Sequence, residues 1–417
     1  MNESVNRSVY IIFGSGNKQK ILNTGVKKLF ILMIMRQILT VAVLLFLMGC
    51  AMPEGPVPLS GEAPEAEGWD TEVVIDGLEH PWSVAWLPNG DMLITERPGR
   101  LRLVQNGELV EEPISGLPDI FASGQGGLLD VSLHPEFEDN NWVYLTYASG
   151  DDDANRTTVG RGELDGLNLN DFTEIFRVSD DKKDDQHFGS RILWLPDGHF
   201  LLTLADGGNY IRFDGDWIRE QAQNPETHLG SVLKLTENGE AVPGSPFIDH
   251  ENALPEIWSM GHRNIQGIAR DPESGRIWAN EHGSRGGDEL NLLKEGENYG
   301  WPEVTYSREY HYTRISDETS RPGMADPKVV WTPAQAPSGL AFYTGDQFPE
   351  WQGDLFSGGL VGEQVRRIIL DGDSVVGEES LTIGQRVRDV RQGLDGYLYI
   401  LTDHENGQLI RIIPSAE

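Results

Sequence analysis

Between Gly261 and Pro302 the chain reads GHRNIQG, then NEHGSRGGDELNLL, then NYGWP, a series of residue types that suits chemistry better than packing. Gly283, Gly286 and Gly287 permit positive φ or a close approach to a ligand, and they stand among His282, Arg285, Asp288 and Glu289. A loop of this kind can hold a charged group. A glycine-rich surface turn would explain any one of the segments. Three within about forty residues point instead to binding groups collected on the loops of a rigid scaffold.

Other short pieces share this character. GQGGLLDV sets Gln125 just ahead of an apolar run, DDQHFGSR sets His187 ahead of another, GHRN supplies Arg263 and Asn264, and RVRD supplies Arg386 and Arg388. Guanidinium groups pair bidentately with planar oxyanions and keep their charge. A histidine with an ordinary pKa of about 6.5 can take a hydroxyl proton near neutral pH. Taken singly, each residue has a plainer account. His187 would be a loop histidine, Asp288 and Glu289 solvated turn acids, and Trp301 a core or turn aromatic. Arg386 and Arg388, alternating with Val387, would be the outer face of a strand. His282 has no second His or Cys at zinc spacing, so it reads as a loop-shaping or ligand-facing residue. Weak one by one, these signals are strong together.

The elements that must position them repeat. WSVAWLPNGDMLITER, LLDVSLHPEFEDNNWVYLTYA, SRILWLPDGHFLLTLAD, QGIARDPESGRIWANEHG, SGLAFYTGDQFPEWQGDLFSGGL and DVRQGLDGYLYILTD each join two apolar, alternating runs through a turn. Strand-like runs such as LRLVQNGELV, SVLKLT and QVRRIIL lie between the copies. Two hairpins per repeat make a four-stranded blade. The chain is therefore expected to be all-β, a six-bladed β-propeller with four-stranded antiparallel blades. A pair of β-sandwiches would not explain why one hairpin returns along the whole chain, and no sustained 3.6-residue periodicity follows Cys50. Propellers hold ligands over the central channel, on loops that join blades, so residues distant in sequence can meet there.

Composition narrows the partners. With 33 Lys plus Arg against 66 Asp plus Glu, the formal charge of −33 repels nucleic acid and anionic surfaces. The acids are spread through loops such as DDDANR and SDDKKDDQ, which serves solubility. The single cysteine, Cys50, ends MRQILTVAVLLFLMGC, where Arg36 leads an apolar stretch from Ile38 to Met48 that is too short to span a bilayer comfortably. It looks like a bacterial lipoprotein signal, with lipidation at Cys50. The expected organisation is a leader and signal peptide over residues 1–49, a lipidated flexible tether over 50–68 and a propeller over 69–417. Residues 1–34 read as leader or as an upstream misassigned start, and the GSG at 14–16 is no dinucleotide fingerprint. The expected place is the cell envelope, facing the periplasm, with Ala51 pointing to the outer membrane.

GQGGLLDVSLHPEF, HFGSR, GHRNIQG, EHGSRGGDELNLL, NYGWP and RVRDV, in that order, resemble the soluble PQQ-dependent sugar dehydrogenases, the glucose/sorbosone dehydrogenase family, over nearly all of the globular part. The resemblance implies a PQQ- and Ca²⁺-dependent aldose sugar dehydrogenase that oxidises the anomeric carbon to a lactone and passes electrons to a soluble or membrane acceptor. It makes His187 the general base and places Arg263 where charge develops on the reducing quinone. Gln125, Arg263, Asn264, Gly283, Ser284, Asp288, Arg386 and Arg388 would line the cofactor. The carbonyls of Gly283 and Ser284 would face a Ca²⁺, and Glu289 and Tyr299 match a further calcium site. PQQ is a tricarboxylate, which suits arginines, and calcium takes oxygen ligands and polarises a quinone.

Three positions depart from the family pattern. Val361 stands where some members have a lysine that reaches the cofactor, with Arg366 and Arg367 as candidate replacements. Gln186 stands where some have an aspartate that could orient the imidazole, and Ser284 where proline is common. Two rival readings differ in class. A calcium-dependent lactonase or other propeller hydrolase needs carboxylate and amide ligands at the channel, where few acids are expected. A non-catalytic carbohydrate-binding propeller is kept open by Val361. Sugar preference would lie in NYIRFDGDWIREQAQNPETH and SREYHYTRISDETSRPGMADP, long loops between blades with no readable code.

Overall fold

Each of the six hairpins forms where two alternating apolar runs meet across a turn, and each is the inner half of a four-stranded antiparallel sheet. The computed structural model describes residues 55–247 and 249–415. Blade one starts with Pro81–Trp86, blade two with Leu128–Leu133, blade three with Ile192–Trp194, blade four with Ile265–Arg270, blade five with Pro337–Phe342 and blade six with Val387–Gln392. These first strands pack beside one another around an axis, which is the six-bladed propeller expected. The apolar side of each blade packs on its neighbour. Leu93 and Leu101 of blade one meet Leu128, Val143 and Leu145 of blade two, and Trp278 and Trp331 of blade four meet Leu340, Leu355 and Ile368 of blade five. Each such side chain fully withdrawn from water contributes about 1.5–3 kcal/mol.

The ring is closed by an early segment. Trp69–Leu78 runs antiparallel to Gly407–Pro414 as the outermost strand of blade six, with Trp69 opposite Pro414. Blade four gains a fifth strand, Leu59–Ser60, parallel to Val329–Trp331. That strand corrects the expectation of a flexible tether, at least from residue 55 onward. Ala66 is buried, and the Glu65 carboxylate accepts from the Thr382 backbone N–H (2.9 Å) and hydroxyl (2.7 Å). The segment has little apolar surface, yet its backbone satisfies open edges of blades four and five, a stabilisation that composition does not reveal. Cys50 and the leader lie outside the described residues. Among the described residues no helix is long and apolar enough to cross a membrane.

Near the axis four buried or half-buried charges alternate. Arg191 reaches Asp130 (3.2 Å) and Asp389 (2.9 Å), and Arg391 reaches the same two (2.9 and 3.0 Å). Ser83 of blade one donates to Asp130 (2.6 Å), and Arg191 donates to the Gln266 carbonyl of blade four (2.7 Å). Blade five approaches so closely that a Cβ on Gly339 would lie 2.0 Å from Asp389 Oδ1. The group thus ties the inner strands of five blades together, with that of blade five packed directly against it.

The two long loops singled out in the sequence lie within blades rather than between them, a second correction. One separates Phe200–Thr203 from Ser231–Leu235 in blade three and contains a small hairpin, Arg212–Phe213 with Asp216–Trp217. The other separates Asp288–Leu293 from Val329–Trp331 in blade four. In each case the flanking strands pair directly, and the inserted residues fold back in part, burying Asp206 and Ile218 in one and Trp301 and Tyr306 in the other.

Candidate functional site

His187 sits on the loop entering blade three, with φ of 53°, a left-handed conformation that is uncommon outside glycine. The surroundings hold it there. Its backbone N–H donates to Gln125 Oε1 (2.9 Å), and the Lys182 ammonium binds the carbonyls of Asp184 (2.5 Å) and Gln186 (2.6 Å) beneath it. Burial pushes that lysine down to about 7. His187 Nδ1 donates to Asp206 Oδ1 (2.6 Å); a carboxylate only accepts, so Nε2 keeps its lone pair. Asp206 in turn accepts from Trp301 Nε1 (2.8 Å) and the Gly208 N–H (3.1 Å). Burial above all, then the Arg263 guanidinium, hold His187 below the ordinary histidine value, against the pull of Asp206. The result is a neutral, oriented base. Asn209 Nδ2 lies 3.4 Å from its Nε2.

Arg263 enters from the loop between blades three and four. Its backbone N–H is fixed by Glu281 (2.7 Å), and its guanidinium donates to Asn209 Oδ1 (2.8 Å) and to the carbonyls of His282 (3.1 Å) and Gly283 (2.6 Å). The side chain lies over the Trp301 ring at 5.3 Å. Its Nε, together with Asn264 Nδ2 and Ser284 Oγ, is buried without a hydrogen-bond partner among the described residues. Leaving donors like these unmet is costly, and such atoms mark places for a ligand acceptor.

Beside this pair opens a cavity of about 240 Å³. Gln125, His282, Arg386 and Arg388 line it, as do Arg97 and Asp403. Apolar walls come from Trp82, Leu129 and Phe188, the residue after His187. Arg388 and Arg386 share the Asp403 carboxylate at 2.8 and 3.3 Å, and His80 adds a third contact at 3.0 Å. Burial works against ionisation of Asp403, but Arg388 and these partners hold its carboxyl well below the usual carboxylate range. Three arginines and one aspartate leave the lining with 3 − 1 = 2 excess positive charges, in a chain of net charge −33. Such a pocket selects an anion. His282 is a half-buried neutral wall: desolvation first, then Arg263, push it down to about 3, and its Nε2–H donates to the Pro337 carbonyl (2.7 Å).

The loops therefore bring Gln125, His187, Arg263, Asn264, Arg386 and Arg388 close together. Two other expectations, those for Asp288 and for Arg366 and Arg367, need correction. Asp288 does not line the cavity. Its carboxylate lies behind the glycine loop and accepts the N–H groups of Gly283 (2.7 Å), Gln335 (2.7 Å) and Ala336 (2.8 Å), while burial raises it to about 6. The Gly283 carbonyl faces the Arg263 guanidinium, and the Ser284 N–H is taken by Ser307 Oγ (3.2 Å). Tyr299 stacks on His262 at 4.6 Å, with its hydroxyl between Leu292 O and the Lys294 N–H, both at 2.9 Å. Arg366 and Arg367 do not replace a lysine at Val361. Arg366 is bound to Gly61 and Glu378, Arg367 to Asp354 and Glu379. Val361 itself lies on the cavity rim, 62% exposed.

Glu289 accepts only a 3.3 Å contact from Asn291, and burial, Glu281, Asp288 and Asp326 together push its carboxyl well above its ordinary value. Among the described residues no group of three or more His, Cys, Asp or Glu is placed to hold a metal ion. Sequence reasoning missed Asp206, Asn209, Arg97 and Asp403. Asp206 was legible as the acid that ends the apolar strand LLTLAD, where packing alone asks for no charge.

A family model described as Glucose / Sorbosone dehydrogenase matches residues 78–411. The chain is 41% identical over 353 residues to aldose sugar dehydrogenase YliI of Escherichia coli K12, covering 83% of this chain and 93% of that one. The crystal structure of soluble aldose sugar dehydrogenase from Escherichia coli in its apo form superposes with TM-score 0.78 at 40% identity, over 83% of this chain and 100% of that one. The PQQ-bound aldose sugar dehydrogenase of Streptomyces coelicolor gives TM-score 0.66 at 27% identity, over 84% and 100%.

Proposed function

The chain belongs to the glucose/sorbosone dehydrogenase family, and from that premise we propose that it oxidises the anomeric carbon of aldoses to lactones with PQQ and Ca²⁺. The observation that carries this reading is the arginine-lined cavity set against the Asp206–His187 pair. An anion pocket next to an oriented neutral base suits a carboxylated quinone beside a sugar hydroxyl. Gln125, Arg386 and Arg388 would hold the quinone's acidic rim, and the unpartnered donors of Arg263, Asn264 and Ser284 would find acceptors there. When bound, the quinone supplies the two-electron acceptor and calcium the Lewis acid. The carbonyls of Gly283 and Ser284 would face that ion, and Glu289 and Tyr299 would belong to a second. His187 Nε2 takes the anomeric hydroxyl proton. Asp206 keeps the proton-bearing Nδ1 turned inward, and Arg263 places positive charge against the developing negative charge.

Adding PQQ and Ca²⁺ to the ligand-free protein is expected to produce a quinone absorbance band that changes when an aldose is added. A band that ignores every aldose would reduce the protein to a cofactor-loop scaffold, and sugar-lactone hydrolysis in its place would favour a hydrolase.

The same reading includes a place in the cell. The Arg36-led apolar run ending at Cys50 supports a lipid anchor that holds the protein at the envelope, facing the periplasm. Metabolic labelling with a fatty acid should mark the wild type and leave Cys50→Ala unlabelled; label retained in that variant would remove the anchor from the proposal.

A further inference from the structure

The segment that precedes Trp69 does more than cover an open sheet edge. Its residues 57–60 touch both walls of the glycine loop. On one side the Val57 N–H donates to the Tyr306 hydroxyl (3.0 Å). The next residue, Ser307, takes the Ser284 N–H on its Oγ (3.2 Å) and donates to the Gly286 carbonyl (3.0 Å). On the other side Leu59 and Ser60 pair with Val330 and Trp331, and the Ser60 carbonyl accepts the Thr332 N–H (2.9 Å). The Gly287 N–H is shared between the Trp331 carbonyl (2.9 Å) and Thr332 Oγ1 (3.0 Å). The Ser60 hydroxyl also donates to Glu378, whose other oxygen accepts from Trp331 Nε1 (2.7 Å). No slack separates wall from loop: a Cβ on Gly287 would lie 2.7 Å from the Ser307 nitrogen and 2.8 Å from the Tyr306 carbonyl carbon. Leu59 is 40% exposed, so these residues add little to a core.

We propose that residues 57–60 are a positioning strap for the ligand-holding glycine loop, fixing Gly283 and Ser284 through the Tyr306–Ser307 and Trp331–Thr332 walls. This role rests on the quinone and calcium reading above, and it belongs to residues that precede the family match, which begins at 78. An added strand takes its hold from main-chain hydrogen bonds, whatever its side chains. The strap touches no ligand. It steadies main-chain groups that would, as outer partners do for the residues that hold an ion. His187 and Asp206 take part in none of these contacts, so the strap governs how firmly the ligand is held and leaves proton transfer alone.

Val57→Pro/Ser60→Pro in the full chain removes two backbone donors and the Ser60 hydroxyl, and Val57→Pro alone removes the bond to Tyr306. In the ligand-free protein, hydrogen exchange over residues 283–288 should quicken about ten-fold in the double variant and about three-fold in the single one. PQQ titrated in the presence of Ca²⁺ and followed by tryptophan fluorescence should bind the double variant about ten-fold more weakly. At saturating quinone and sugar, kcat should stay within about two-fold of wild type. Glu65→Ala, which frees the segment only from Ser380 and Thr382 of blade five, is the control and should match wild type in exchange and affinity. The single variant leaves the pairing of Leu59 and Ser60 in place and decides the case if the double variant does not fold. Unchanged exchange, unchanged quinone affinity, a kcat loss as large as the affinity loss, or equal effects in Glu65→Ala would each overturn the strap's role. Faster exchange confined to the proline variants, in a protein whose wild type binds no PQQ, would instead sustain the strap and remove the quinone reading.

Discussion

Replacing His187 by glutamine should lower sugar-dependent kcat of the PQQ- and Ca²⁺-loaded protein by about 10²–10⁴-fold, the usual contribution of a positioned general base. Glutamine fills a similar volume and can still bond to Asp206, so circular dichroism and thermal midpoint should stay near wild type. The pH profile gives a second handle. His187 works when neutral, and burial and Arg263 keep its proton affinity low. The acid limb of kcat/KM should therefore fall below pH of about 6.5, the ordinary histidine value. Asp206 raises the histidine, so Asp206→Asn should move that limb to still lower pH while also cutting kcat through loss of ring orientation. For folding, the sign follows from the same shift: the unfolded chain binds the proton more readily, so this contribution to stability is lost as pH falls through about 6.5. Full turnover in His187→Gln would end the assignment of the base.

Arg191→Met should destabilise the fold by about 3–5 kcal/mol, the cost of leaving buried charge without its partner. Arg191 is almost wholly buried and contacts Asp130 and Asp389 together, and Arg391 alone would remain for both. The denaturant midpoint should fall with the slope unchanged. Arg321, which pairs with Glu318 and Glu303 at the surface, is the control, and Arg321→Met should leave the midpoint close to where it was. Equal midpoints for wild type and Arg191→Met would show that the axial charges do not hold the blades.

The architecture was readable because one local signal, the alternating hairpin, fixes each inner strand, and all six hairpins formed where they were expected. His187, Arg263 and the Arg386/Arg388 pair were readable because charged or titratable residues on glycine-rich loops have little packing purpose. Asp288 misled for the opposite reason. A carboxylate that caps three backbone N–H groups looks, in sequence, like one that faces a ligand. Residues 59–66 were misjudged because edge pairing is a property of the partner strand, and Leu59 and Ser60 carry no trace of Val330 and Trp331. Asp206 and Asp403 follow apolar strands whose hydrophobic pattern drew attention away from their last residue.

Joining Trp69–Leu78 to Gly407–Pro414 has a consequence for synthesis. As the polypeptide emerges from the ribosome, blades one to five can assemble in turn, but the cylinder stays open until its final strand arrives. A message truncated before residue 407 would yield a product with two raw sheet margins, the sort of surface on which chains stick to one another. Gly407–Pro414 is therefore also the clasp, and its absence marks an incomplete molecule before any activity is tested.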